Sequence, residues 1–203
     1  MSMSNYTEIS TAVATWLNRE GFSSLTDQVE DLIAMGQRRI HRLCDLNAME
    51  EVVTLTIDEA SESVPADFLR TKSMTIIQSN ATFEVNGAPH TLVMDYSSTD
   101  RPTKYSVIGS SFYFGPPPDQ EYSAQLVYYK SLDILSTTNT TNWFSANAPE
   151  FLLYAALVEA CLFLKDDARA QVWETRFNQV KDELLQSEDR QDKEYGGMRV
   201  RSK

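Results

Sequence analysis

The sequence predicts an α+β protein: N-terminal helices and a C-terminal helical hairpin form a bundle, with a central antiparallel β-sheet insertion and an extended C-terminal arm. Three observations carry this. Apolar residues recur at helical spacing near both ends of the chain, the period falls to two in the middle, and the last residues, from Glu188, carry few apolar side chains. The expected division is 1–48 with 143–187 as the helical bundle, 49–142 as the β-rich domain and 188–203 as the arm.

The opening helix rests on Ile9, Val13, Trp16 and Leu17, which share one face over residues 5–19. Gly21, in Glu20–Ser24, is placed to end it. A second helix is expected from about Leu25 to Asp45, with Leu25, Val29, Leu32, Ile33, Gly36, Ile40 and Leu43 in one stripe. Asp27, Glu30 and Asp31 lie early in it and Arg38, Arg39 and Arg42 late, the polarity that suits a helix dipole.

From Glu51 the pattern is that of a half-buried strand: Val53, Leu55 and Ile57 alternate with Thr54 and Thr56. Val64–Leu69 reads as a turn into a short helical piece, and Ser73–Gln78 as a further strand. Asn86-Gly87 predicts a hairpin, because both residue types accept positive φ angles. Gly109-Ser110-Ser111 predicts another, between Thr103–Ile108 and Phe112–Phe114. Pro116-Pro117-Pro118 ends it, and Tyr122–Lys130 is a strong strand. These short strands suggest an antiparallel sheet or small sandwich.

After the polar loop Ser136–Asn142, helix returns near Pro149, a residue suited to a first turn. Phe151–Leu164 is apolar on nearly every face, so it is expected to be covered on all sides, partly by its own chain and partly by a neighbour. Lys165-Asp166-Asp167 supplies a break with an Asp cap, and Trp173, Phe177, Val180 and Leu184 mark the last helix.

Composition narrows the function. The chain of 203 residues carries a formal net charge of −11, so it lacks the cations for a broad nucleic-acid-binding face. Two cysteines, Cys44 and Cys161, make no disulfide framework and fit a reducing compartment. No apolar run reaches the ~18 residues of a membrane span, and Met1–Tyr6 lacks the pattern of a signal peptide.

Phosphate-binding glycine loops and nucleophile elbows are missing from the sequence, and no cofactor is expected. His41 and His90 lie in no catalytic pattern, so no catalytic residue is assigned. His41 and Cys44, three residues apart, would face one ion, and His90 with Cys161 would complete four ligands. A second close-spaced pair is lacking. The plainer reading, a surface histidine beside a buried thiol, is therefore preferred and no metal is assigned. Arg38, Arg39 and Arg42 admit three readings: a solvated helix end, a grip on nucleic acid, or pairing with acidic residues of a neighbouring subunit. Trp16, Trp143 and Trp173 are expected in the core or an interface.

The charge is unevenly spread. From Arg190 to Lys203 there are five basic residues and two acidic ones, on an otherwise acidic chain. Tyr195, Met198 and Val200 would give this arm apolar anchors, and Val200 between Arg199 and Arg201 suits an edge-strand contact.

Several segments, in order, resemble the bacteriophage head-to-tail connector adaptors, the ring adaptors of short-tailed phages. Tyr6–Arg19 is similar to that family's opening helix. Gln37–Leu43 resembles its "ARINR-L" segment, with Met49-Glu50 following, and Val64–Leu69 its "LPADFL" turn. Leu126–Lys130 and Thr141–Phe144 stand where the family has "LVYY" and "TNWL". The resemblance implies a non-enzymatic virion protein, made in the host cytoplasm and placed in the neck between head and tail. It implies a homo-oligomeric ring, typically a dodecamer, that binds the portal protein, closes the filled head and gives tail or nozzle proteins a docking surface. DNA would pass through its channel at ejection without sequence-specific binding, and no membrane is involved. The arm would reach toward the portal, making Tyr195, Met198, Arg199, Val200 and Arg201 the portal-binding candidates. Arg38, Arg39, Arg42 and Leu157 are the subunit-interface candidates. The alternative is another phage neck or tail-tube structural protein; a cell-wall hydrolase stands further off.

Overall fold

The computed structural model describes residues 3–17, 28–79 and 81–195, with side chains as far as Arg190. It divides into two compact units, one of Met1–Ala48 with Leu132–Lys203 and one of Met49–Ser131. The first is helical and the second a two-sheet sandwich, so the α+β expectation holds.

The helical unit begins with α1 (Tyr6–Trp16). Asn5 caps it by accepting the Glu8 N–H at 3.0 Å. Helix α2 (Val29–Leu43) follows. The short helix α3 (His90–Val93) lies within the sandwich unit; after that unit the helical one continues with α4 (Trp143–Asn147), α5 (Pro149–Phe163) and α6 (Asp167–Tyr195). The expected break at Gly21 and the start of the second helix at Leu25 lie outside the described residues.

Helix α5 is the axis of this unit, with Phe151, Leu152, Leu153, Ala155, Ala156, Leu157, Ala160 and Cys161 fully buried. Its own chain supplies the cover: α1, α2, α4 and α6 all pack on it. At the C-terminal end the chain leaves Leu162 and Phe163 about half exposed, the part of the expected cover that would fall to a neighbour. Helix α2 approaches α5 so closely at Gly36 that a Cβ there would stand 2.8 Å from the Ala156 nitrogen. The turn from α5 to α6 is a Schellman closure. Lys165 takes the left-handed conformation (φ 57°), its N–H donates to Leu162 O, and Asp166 N–H donates to Cys161 O. Asp166 then caps α6 by accepting the Arg169 N–H at 3.2 Å.

The sandwich holds one sheet in the order β1 (Glu50–Ile57), β8 (Tyr122–Lys130), β3 (Phe68–Gln78), β4 (Ala81–Glu84). The other runs β2 (Ser61–Ser63), β7 (Ser111–Gly115), β6 (Lys104–Ile108), β5 (Asn86–Gly87). The first is antiparallel throughout; the second adds one short parallel pairing, β5 with β6. Ile57, Met74, Ile76, Phe112, Phe114, Ala124 and Leu126 form the core between them.

Four local expectations are corrected. Val64–Leu69 does not enter a helical piece: Phe68 N–H donates to Pro65 O in a tight turn, and the chain continues into β3. Asn86-Gly87 is not a hairpin turn but strand β5, opposite Lys104 and Tyr105; the reversal lies before β4, where Ser79 takes φ 56°. Leu132–Asn142 belongs with the helices rather than the β-rich domain. Residues 188–195 of the expected extended arm are helical, as the end of α6. That stretch is poor in apolar residues yet rich in Glu, Gln, Arg and Lys, which are good helix formers. The hairpin at Gly109 is as expected, with Ile108 opposite Ser111 and Gly109 at φ 60°.

Candidate docking surfaces

Helix α2 sorts its three arginines by face. Arg38 and Arg42, one turn apart, are exposed and make no ion pair among the described residues. Met35 and Leu43 are exposed beside them, so Leu43 leaves the expected buried stripe. Arg39 turns inward. Its Nη2 donates to both carboxylate oxygens of Glu174 at 2.6 and 2.7 Å, its Nη1 reaches Glu159 at 3.4 Å, and the guanidinium lies 5.2 Å from the centre of the Phe177 ring. Arg39 is thereby engaged within its own chain, and only Arg38 and Arg42 are left to face a neighbour. A groove of about 590 Å³ opens beside Arg39, walled by Val158, Leu162 and Ala170, with Asp167 and Glu174 in its lining.

Leu157 is wholly buried within the chain and offers nothing to another subunit. Tyr195 ends α6 by its backbone, while Met198, Arg199, Val200 and Arg201 lie outside the described residues. Trp16, itself exposed, packs against the rings of half-buried Trp173 (5.5 Å between ring centres) and Tyr154, and half-buried Trp143 packs edge-on against Phe144.

The proposed metal set does not come together. His41 is buried against the Phe144 ring, not on the surface as expected, whereas His90 sits in the sandwich, its Nδ1 3.1 Å from Ser106 Oγ. Among the described residues no three His, Cys, Asp or Glu side chains stand where one ion would need them. Burial pushes the Cys161 thiol up, away from the reactive thiolate.

The side chains with the richest polar contacts were not singled out from the sequence. Gln37 is fully buried on α2 and bonds the segment after the sandwich at every position. Its Nε2 donates to Leu132 O (3.1 Å) and Asp133 O (2.9 Å); its Oε1 accepts from Leu135 N (3.1 Å) and Asn142 Nδ2 (3.0 Å). Asn142 in turn forms a capping box with Ser145 at the start of α4. In the sandwich, Tyr128 OH donates to Asp67 Oδ1 at 2.9 Å and its ring stacks on Phe68. Burial first, and then the Asp67 carboxylate, push the Tyr128 phenol up to about 12. A glutamine on a helix and a tyrosine in a strand carry no local pattern; only their ordered neighbours, Gln37–Leu43 with Thr141–Phe144 and Val64–Leu69 with Leu126–Lys130, point to them.

These paired segments are among those on which the likeness to connector adaptors rests, and they are internal braces. A family-level comparison decides the matter: the model of the SU10 adaptor protein family matches residues 4–201. The chain belongs to the SU10 adaptor protein family. It is therefore a structural adaptor protein of a bacteriophage, a part that meets other head and tail proteins. No curated protein matches the chain. Among its described residues, no helix of this adaptor is long and apolar enough to cross a membrane.

Proposed function

We propose that the adaptor forms a ring, typically of twelve subunits, in the virion neck between the portal and the tail. The ring closes the filled head, offers tail or nozzle proteins a docking surface, and lets DNA pass at ejection without sequence-specific binding. The observation that carries this reading is the family match across residues 4–201. The charge supports it: a protein of net charge −11 repels the phosphate backbone and lets DNA slide. Arg38 and Arg42, exposed on α2 and in no ion pair among the described residues, are cations that can meet a neighbouring subunit.

The test is addition of the purified adaptor to isolated portal particles, followed by cryo-EM of the product. A closed ring on the tail-facing side of the portal is expected. Density elsewhere on the virion, or no association at any salt concentration, would sink the reading.

A further inference from the structure

Each sheet of the sandwich has two edge strands, and three of the four edges are short: β4 has four residues, β2 three and β5 two. Short edges are how proteins avoid unwanted strand pairing. Strand β1 is the exception. It runs eight residues, Glu50–Ile57, in unbroken register with β8 on one side. Among the described residues none of its backbone groups bonds to anything on the other side. It holds no proline, no lysine and no bulge, the usual devices that blunt an edge. Val53 and Leu55, on the core side of the strand, stay only half-buried, as they would beside a missing neighbour. Val52, Thr54 and Thr56, on the other face, are exposed.

We propose that this edge takes residues Met198–Lys203 of a second copy as an added strand. The chain continues eight residues beyond Tyr195, and after Gly196-Gly197 the last six alternate: Met198, Val200 and Ser202 on one side, Arg199, Arg201 and Lys203 on the other. Six residues at ~3.3 Å each span most of the length of β1. With Val200 set antiparallel opposite Leu55, Met198 stands opposite Ile57 and Ser202 opposite Val53, so Met198 and Val200 continue the apolar face at the Leu55–Ile57 end of the strand. Arg199 then lies diagonal to Asp58, next to Glu59, both exposed at the end of β1. Charge also argues against the competing occupant. Two copies pairing β1 to β1 antiparallel would set Asp58 and Glu59 of each against Glu50 and Glu51 of the other. A donor strand from one copy on the edge of the next is a heterologous contact, the kind that closes rings.

Hydrogen exchange on the full-length chain, without portal, tests the proposal over a range of protein concentrations. Half of the β1 amides already pair with β8, so strand addition should protect the alternate ones. These are expected to slow by about tenfold or more as concentration rises. The pair Arg199→Glu with Arg201→Glu should abolish the slowing while circular dichroism and melting stay unchanged. Protection that is independent of concentration would mean the strand comes from the same chain, and would overturn the proposal. So would no protection, or protection that survives both substitutions. Overturned equally would be an adaptor whose arm substitutions prevent portal attachment while its β1 amides never change. Because the portal is absent from the exchange measurement, its outcome is separate from that of the ring reading above.

Discussion

Gln37 shows how much one polar side chain can hold in place. All four of its bonds go to a segment that returns from the sandwich about a hundred residues later. Gln37→Leu keeps the volume but leaves the Leu135 N–H, two carbonyls and the Asn142 amide without that partner. A loss of about 2–4 kcal/mol is expected in urea unfolding, since stranded buried groups cost more than a bond contributes. Gln37→Glu, which keeps an acceptor but loses both donated bonds, should also destabilise. A Gln37→Leu variant within 0.5 kcal/mol of wild type, roughly the range of neutral surface changes, would refute the brace. Tyr128 makes a second residue-scale prediction. Its folded pKa of about 12 lies above the ordinary value of 10, so the folded state binds the phenolic proton more tightly. The contribution is fully present below pH ~10 and is lost as pH rises toward ~12, on the order of 1–3 kcal/mol. Alkaline melts of wild type and Tyr128→Phe should therefore converge over that window. Parallel curves from pH 9 to 12 would show that the phenol carries no such coupling.

At the scale of elements, α5 separates burial from exposure along a single helix. Leu157→Asp places an unpaired charge at a position with no exposure and should destabilise the isolated chain by several kcal/mol, roughly the scale for a stranded buried ion. Leu162→Asp, at a position 52% exposed, should leave the melting temperature nearly unchanged. If the two variants melt alike, the assignment of cover to the chain itself is wrong. Gly36→Ala belongs to the same contact: the added methyl meets α5 backbone rather than a yielding side chain, and a penalty of about 1–3 kcal/mol is expected. Much of this layer was legible in the sequence. The apolar run Phe151–Cys161, the alternation Val53–Leu55–Ile57 and the Gly109 turn each state their structure locally. Asn86-Gly87 misled because a turn signal is only a permission; Met74 O and Tyr105 O receive N–H groups on either side of it, and tertiary pairing overrode the local preference. The inward turn of Arg39 was not legible, because Glu159 and Glu174 lie more than a hundred residues away. The six residues that separate Gly197 from the end of the chain could be read as a strand donor, but their acceptor was hidden in the sheet order.

For the whole molecule, net charge governs association. At −11 the copies repel one another at low salt, where screening extends over ~30 Å at 0.01 M against ~8 Å at 0.15 M. The pure adaptor should therefore sediment as a monomer or weak oligomer at low salt and associate more as salt rises, with the portal acting as template for the full ring. A stable closed ring at low salt without portal would refute this. The family match covers both units, and four of the segments that carry the likeness meet in the braces at Gln37–Asn142 and Asp67–Tyr128.

The helical unit is built from two stretches of chain and the sandwich from one. During synthesis Met49–Ser131 is complete while α5 has yet to be made, so the sandwich can fold first on the ribosome. Its closing pair, Glu50 opposite Tyr129, then holds both ends of the insertion side by side. Helices α1 and α2 must wait, apolar faces uncovered, until residues 149–163 emerge. When α5 arrives it no longer has to search across a loop of some eighty flexible residues, because the folded insertion has shortened that loop to almost nothing. A destabilised sandwich should therefore harm the helices indirectly, by slowing their closure and lengthening their exposure to aggregation.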